Sequence, residues 1–230
     1  PFEMIGQRLY SGRVAVAQAA LAYRRELFDV TRRYAEGKRV WSPFTAGGAD
    51  PPPLASIPPL RALFAEADAR AAEMESFVGM CEDRLSAHLA EGSAPGSALA
   101  HAIATAKVKA VETSIELCWR LKQEVGSYAL MADSGFAHLD FLNCCKFAEG
   151  DSRVLMQKMA RDVMRAAAKG KGPSLSSAER DLVGTLGAAL APAKGVKADE
   201  AALWDENWRH VYALAEATMA RTLDEFARSG

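Results

Sequence analysis

An all-α fold is predicted by three observations. The 230-residue chain is rich in Ala, Leu, Arg and Glu, and its β-branched residues form almost no turn-bounded clusters. Apolar positions also recur at helical spacing over long stretches, separated by breaks rich in Gly and Pro. The first helix is expected over about Phe2–Glu36, with Leu9, Val16, Ala20, Leu27 and Val30 on its apolar positions and a stop at Gly37. At 1.5 Å per residue it would be about 50 Å long. Residues 42–59, from Ser42-Pro43 to Pro58-Pro59, carry too many prolines and glycines for a helix and predict an extended connection.

The second helix is expected at about Leu60–Glu91, followed by the break Gly92-Ser93-Ala94-Pro95-Gly96. A third, about Ser97–Val125, ends at Gly126-Ser127. Its stripe of Ala100, Ile103, Ala104, Lys107, Val108, Val111, Ile115, Cys118 and Trp119 is one apolar face crossed by a single lysine. A shorter aromatic-rich piece spans Gly135–Phe147, and Asp151 or Ser152 can cap a helix reaching Ala168 with Val154, Leu155, Met159 and Val163 inward. Together these helices predict an antiparallel four-helix bundle over residues 1–169. After Lys169-Gly170-Lys171-Gly172-Pro173, residues 170–230 are expected to form a linker and a C-terminal helical extension, with helices at about Ser177–Leu190 and Asp199–Arg228. The last carries Trp204, Trp208, Val211, Tyr212, Ala215, Met219 and Leu223 at helical spacing, a face expected to cover the bundle of its own chain.

Charge excludes several classes of function. Lys and Arg number 28 against 29 Asp and Glu, a net charge of −1, and no run of like charge forms a basic arm. Such a balance disfavours generic nucleic-acid binding. Charged residues recur every few positions, so no transmembrane segment is expected. Cys81, Cys118, Cys144 and Cys145 contain no C-x-x-C pair and read as reduced, intracellular thiols. Organelle (mitochondrion, peroxisome or plastid) and cytoplasm remain equally open. The four histidines lie far apart and support no metal site. The first residues, Pro1-Phe2-Glu3-Met4, lack an initiator Met and read as a processed, truncated or partial chain.

Three segments carry a more specific signal. Arg13-Val14-Ala15-Val16 through Leu21 leads to Tyr34-Ala35-Glu36-Gly37-Lys38-Arg39-Val40-Trp41. Ala106-Lys107 leads to Gln123-Glu124-Val125-Gly126-Ser127. Phe147-Ala148-Glu149-Gly150-Asp151-Ser152-Arg153-Val154-Leu155-Met156-Gln157 is followed by Ala160-Arg161. In this order, over about residues 1–168, they resemble the C-terminal helical domain of flavin-dependent acyl-CoA dehydrogenases and oxidases, and the Glu-Gly-Asp-Ser segment leans toward the oxidases. The resemblance implies a three-domain flavoprotein of which this chain is the last part. FAD would lie between the middle β domain, this bundle and the bundle of a neighbouring subunit.

The resemblance implies roles for individual residues. Glu149 falls at the position of the base that removes the α-proton of an acyl-CoA thioester. A base of this kind benefits from an apolar wall, and Phe147 and Ala148 are its apolar neighbours. Arg13 falls near the substrate carbonyl and the base. Lys38, with Arg39 beside it, falls at a cation that meets the FAD phosphates, Trp41 at an aromatic near the adenine, and Gln123 and Gly126 at contacts to the pyrophosphate. Bland readings stand beside these: Glu149 as an acidic residue at a helix N-terminus, Arg13 as a solvated helix-start residue, and Lys38 as a cation at a helix C-terminus. Three departures matter. Leu9-Tyr10-Ser11-Gly12 lacks the acidic and threonine residues that many dehydrogenases use for CoA, Ser127 replaces a second glycine, and the Pro-rich 43–59 segment replaces a short flavin-edge connection.

The implied activity is FAD-dependent dehydrogenation of an acyl-CoA, in a homo-oligomer or with a companion chain. The alternative from another class is a non-catalytic interaction subunit derived from this bundle, and a third is a helical scaffold unrelated to the family.

Overall fold

The computed structural model describes residues 2–41, 50–170, 174–193 and 195–229, with side chains described from Arg8 to Arg228. Among the described residues the chain is all-α, and its one β-type contact is an isolated antiparallel bridge between Arg39 and Pro53. The helices are α1 (Phe2–Gly37), α2 (Pro58–Ala90), α3 (Ser97–Glu124), α4 (Asp140–Phe147), α5 (Ser152–Ala168), α6 (Ser177–Leu190), α7 (Lys197–Glu206) and α8 (Trp208–Ser229). None of them is long and apolar enough to cross a membrane.

Charged pairs fix how the long helices run. Gln18 bonds Glu82, Arg25 pairs with Glu75 and Arg32 with Asp68, so residue numbers rise along α1 as they fall along α2. Glu66 pairs with Arg120 and Arg70 with Glu116, which makes α2 and α3 antiparallel in turn. The α3–α5 contacts follow the same rule: His101 meets Asp162, Thr105 meets Met159 and Lys107 meets Ser152. The exposed ion pairs among these set register more than they stabilise. Helices α1 and α3 run in parallel, and Tyr34 stacks on Tyr128 just beyond the end of α3, with centroids 3.7 Å apart.

The apolar stripe expected on α3 is wider than one face. Ala102, Ala106, Ala110 and Leu117 are buried toward α1 and α2, while Ala104 and Val108 enter a separate core with α5, α6 and α8. A helix covered on two sides needs small residues for close approach, and the alanines supply them. Its Trp119 is 45% exposed, where Lys122 sits over the ring. In the other core, Leu155, Met156, Met159 and Val163 of α5 pack on Leu186, Val211, Leu214, Ala215 and Met219. Burying each large side chain contributes about 1.5–3 kcal/mol. The apolar face of α8 is thus covered by its own chain, except at Trp208, which was expected on that face and is 47% exposed.

Buried polar pairing ties α6 to α8. Glu179 closes a capping box with Ser176 and accepts from Arg221 Nε at 2.8 Å. Burial pushes the Glu179 carboxyl up, but the Arg221 hydrogen bonds and the Ser176 amide outweigh it and hold it below its ordinary value.

Four sequence expectations need correction. Helix α2 starts at Pro58, not Leu60, because prolines are tolerated in a first turn whose N–H groups have no intrahelical partner. The expected extended connection over 42–59 is also interrupted by a short 3-10 turn at Leu54–Ser56, and its residues 42–49 lie outside the described residues. The expected last helix is two, because Asn207 Nδ2 donates to the Leu203 carbonyl and closes α7 while the Asn207 carbonyl starts α8. Val154 is not inward but 58% exposed, since the inward stripe of α5 runs through Ser152, Leu155, Met156, Met159, Ala160 and Val163.

Candidate functional site

The connection between α4 and α5 is a corner of unusual backbone. Helix α4 ends when the Ala148 N–H bonds the Cys144 carbonyl, and Ala148 turns extended. Glu149 then takes φ +53 and Gly150 φ +99 before Asp151 caps α5, its Oδ1 accepting from the Arg153 and Val154 N–H groups at 2.7 and 3.4 Å. Among the described residues Glu149 is the non-glycine in the left-handed region. That conformation costs about 1–2 kcal/mol for an L-residue, so the surroundings must impose it.

Three groups impose it. Lys107, the single lysine on the apolar stripe of α3, is fully buried, and its Nζ donates to the Lys146 carbonyl at 2.6 Å, the Gly150 carbonyl at 2.9 Å and Ser152 Oγ at 3.1 Å. Its three N–H bonds thus meet acceptors on both sides of Glu149. Burial lowers its amine to about 8, against the attraction of Asp151. Arg13 Nε donates to the Glu149 carbonyl at 3.0 Å from α1. Burial lowers the Arg13 guanidinium, with Tyr10 and Glu149 acting the other way. Gly12 makes room for the acid itself: a Cβ there would stand 2.6 Å from Glu149 Oε2 and 2.7 Å from its Cγ. The carboxylate therefore rests on the backbone of α1. Nearby, Lys146 Nζ pairs with Glu112 at 3.1 Å and holds the end of α4 to α3.

Glu149 and Arg13 are thus brought together. The apolar wall is not: Phe147 is 63% exposed, and Ala148 and Glu149 are exposed as well, because α4 ends with Phe147 turned outward. Sequence reasoning missed Lys107 and Gly12 as parts of this corner. A lysine interrupting an apolar helix face was the available signal for the first, and a glycine inside a long helix for the second.

The other five expected residues gather at the opposite end of the bundle. Lys38, Arg39 and Trp41 follow α1 and are exposed, Trp41 by 81%. Gln123 and Gly126, at the end of α3, are also exposed, and the Tyr34–Tyr128 stack joins the two ends. Gly126 has φ +60, and a Cβ there would meet nothing within 4 Å. The Lys38 and Arg39 side chains have no ion-pair partner among the described residues. Exposed cations beside an open glycine backbone fit a phosphate-bearing group such as FAD. Along α1, Arg13 and Lys38 are about 37 Å apart.

Comparison with solved structures shows where this fold recurs. Arabidopsis thaliana acyl-CoA oxidase 1 superposes with a TM-score of 0.69 at 14% identity, over 96% of this chain and 40% of the oxidase. The fold is one that acyl-CoA oxidases share. Two acyl-CoA oxidases of Yarrowia lipolytica, 1 and 3, give TM-scores of 0.65 and 0.62 at 17% and 15% identity, covering 94% of this chain and 39% and 38% of theirs. The chain thus spans about 40% of the length of these oxidases. No protein-family model and no curated protein sequence matches it.

Proposed function

We propose that this chain is the C-terminal helical part of an acyl-CoA oxidase-like flavoprotein, with residues 1–169 as the bundle and 170–230 as its extension. Glu149 is the base. The observation that carries this reading is the clamped corner, in which a glutamate is held in a costly backbone conformation with its carboxylate seated over Gly12. In the proposed reaction Glu149 takes the α-proton of an acyl-CoA thioester while the β-hydrogen leaves as hydride, giving a trans-2-enoyl thioester. FAD, when bound, would supply the hydride acceptor. Arg13 and Lys107 fix the Glu149 backbone, and the exposed faces of Phe147 and Glu149 leave the rest of the site to be supplied by parts outside these 230 residues.

Lys38, Arg39, Trp41, Gln123 and Gly126 would hold the phosphate and adenine end of FAD. Their distance from Arg13, about 37 Å along α1, exceeds the reach of one flavin dinucleotide. The two ends of a bundle therefore serve different cofactors, which requires an oligomer or a companion chain. Purification of the protein from its native source tests the reading. Flavin at about one per bundle, bleached by an acyl-CoA in wild type but not in Glu149→Gln, is the expected result. A colourless chain in a stoichiometric complex overturns it in favour of the non-catalytic interaction subunit. That second reading draws on one observation, the exposure of Leu130, Met131, Phe141 and Phe147 in and around α4.

A further inference from the structure

The fully buried Lys107 ammonium is held by neutral oxygens alone: the Lys146 carbonyl at 2.6 Å, the Gly150 carbonyl at 2.9 Å and Ser152 Oγ at 3.1 Å. The acids that face it are engaged elsewhere, since Asp151 Oδ1 caps α5 and Glu112 pairs with Lys146 Nζ at 3.1 Å. Arg13 faces it from α1 with a like charge, and the Cys145 thiol from α4. The Glu149 carboxylate is seated over Gly12. A buried ammonium without a bonded counter-ion gives up its proton more readily than one in water. The lowering of Lys107 to about 8 agrees with this geometry.

Loss of that proton changes what the amine offers. The ammonium has N–H donors only, whereas the neutral amine has one donor fewer and a lone pair. The two carbonyls can only accept, and as the closer partners they keep the remaining N–H groups. The lone pair is then left to Ser152 Oγ. That hydroxyl has a proton to give, which in the structure is directed at the Lys146 carbonyl, 3.3 Å away. Rotation about the Cβ–Oγ bond turns it to Lys107 Nζ without moving any heavy atom. The Lys146 carbonyl meanwhile keeps Lys107 as its donor, so each member of the cluster has a partner in either state. Ser152 and Lys107 are both fully buried, so the exchange is made by these groups and not by bulk water.

We propose that Ser152 compensates for the charge state of Lys107, its hydroxyl accepting from the ammonium and donating to the neutral amine, so that the Glu149 corner keeps one shape in both states. The proton that leaves Lys107 passes to solvent, to which Ala148 and Glu149 beside the cluster are exposed. Ser152 is thus a positioning residue, acting on Glu149 through Lys107. The device is independent of the chemistry proposed at Glu149, and its test needs neither flavin nor acyl-CoA.

Carbon-13 NMR of Lys107 Cε, assigned through its own backbone, follows the amine on the full chain. Hydrogen exchange, corrected for the intrinsic rate at each pH, follows residues 146–152. Between about pH 6.5 and about pH 9.5 wild type is expected to titrate at Cε while protection at the corner falls by no more than about threefold. Ser152→Ala should raise the unfolding constant over wild type by about tenfold or more at the acid end, where a charge-assisted bond is lost. At the alkaline end, where an ordinary bond is lost, the rise should be about threefold. The ratio of those factors lowers the Cε midpoint by about half a pH unit in the variant. A midpoint unmoved in Ser152→Ala would overturn the proposal. So would a variant as stable as wild type at the alkaline end, because the hydroxyl would then face the lone pair without donating to it. In wild type alone, a larger loss of protection across the titration, or no titration at Cε in this range, would overturn it equally, and these two readings decide the matter where Ser152→Ala does not fold.

Discussion

The two ends of the bundle carry equally specific sequence signals and are built in different ways. At the α4–α5 corner, Lys107, Arg13 and Gly12 reach Glu149 from two other helices, and every donor of the buried lysine is used. At the far end, Lys38, Arg39, Trp41, Gln123 and Gly126 are exposed, and what joins them is the Tyr34–Tyr128 stack beneath. One end is preorganised by the chain; the other offers groups whose geometry a second molecule must complete. Positioning a proton-transfer group demands the first arrangement, and holding a flexible phosphate chain tolerates the second.

The largest effect is expected from removing the clamp. Lys107→Met leaves the Lys146 and Gly150 carbonyls without their buried donor, which should lower stability by about 2–5 kcal/mol in urea denaturation. Hydrogen exchange should accelerate first at residues 148–152. If the variant unfolds with wild-type stability and unchanged exchange there, the corner does not depend on Lys107.

The same lysine gives the clamp a pH signature. Its amine titrates near 8 in the folded protein and near 10.5 when unfolded. Between those values the unfolded chain binds more protons, so stability rises with pH by up to about 1.4 kcal/mol per unit. Burial acts the opposite way on Cys81 and Cys118, raising each thiol from 9 to about 12. Their contribution is complete below pH 9 and is lost as pH climbs toward 12. Wild-type stability should therefore climb from pH 8 to 9 and fall above it, whereas Lys107→Met should show the fall alone.

Between the two ends lies a buried cation whose main electrostatic cost is burial, offset in part by Cys118 and Glu75. Arg24 on α1 is 1% exposed, its Nη1 and Nη2 have no hydrogen-bond partner among the described residues, and burial lowers its guanidinium. Arg24→Met keeps the volume and removes the desolvated charge, so it should stabilise by about 1–3 kcal/mol. A destabilised variant would show that the guanidinium is satisfied in solution.

How much of this could be read from the sequence differs between fold and site. Helical class and the long elements followed from periodicity and Pro/Gly breaks, because those signals are local. The two-sided burial of α3 was partly hidden: alanine scores weakly on any apolar stripe, yet it is what lets α1 and α2 approach. Glu149 and Arg13 were singled out by resemblance, but Gly12 counted as a departure from a CoA-binding pattern, whereas in the structure it leaves room for the Glu149 side chain. That role depends on a contact across 137 positions, which no local pattern encodes. The wall expected of Phe147 and Ala148 failed for the same reason, since neighbours in sequence point apart where a helix ends.

Gly12→Ala separates stability from geometry at the corner. Alanine gains about 0.5–1 kcal/mol of helix propensity over glycine, and the atoms it meets belong to the exposed, flexible end of Glu149. Tm should hold or rise slightly while the carboxylate is displaced. In the flavin-loaded assembly, acyl-CoA bleaching should then be lost, as is expected of Glu149→Gln. A variant that keeps full bleaching would remove Gly12 from the site.

The smallest structural effect belongs to the far end. Lys38→Ala and Trp41→Ala alter exposed side chains with no ion-pair partner among the described residues, so chemical denaturation should shift by less than about 0.5 kcal/mol. Their consequence should appear in the assembly, as flavin released at lower salt for Lys38→Ala and as altered adenine-side binding for Trp41→Ala. Arg substituted for Lys38 should restore or improve retention, since the fork of a guanidinium suits phosphate better than an ammonium. Should Lys38→Ala instead destabilise the isolated chain, this end is organised by the chain itself. The contrast with the Lys107 clamp would then vanish, and with it the argument that a second molecule completes this end.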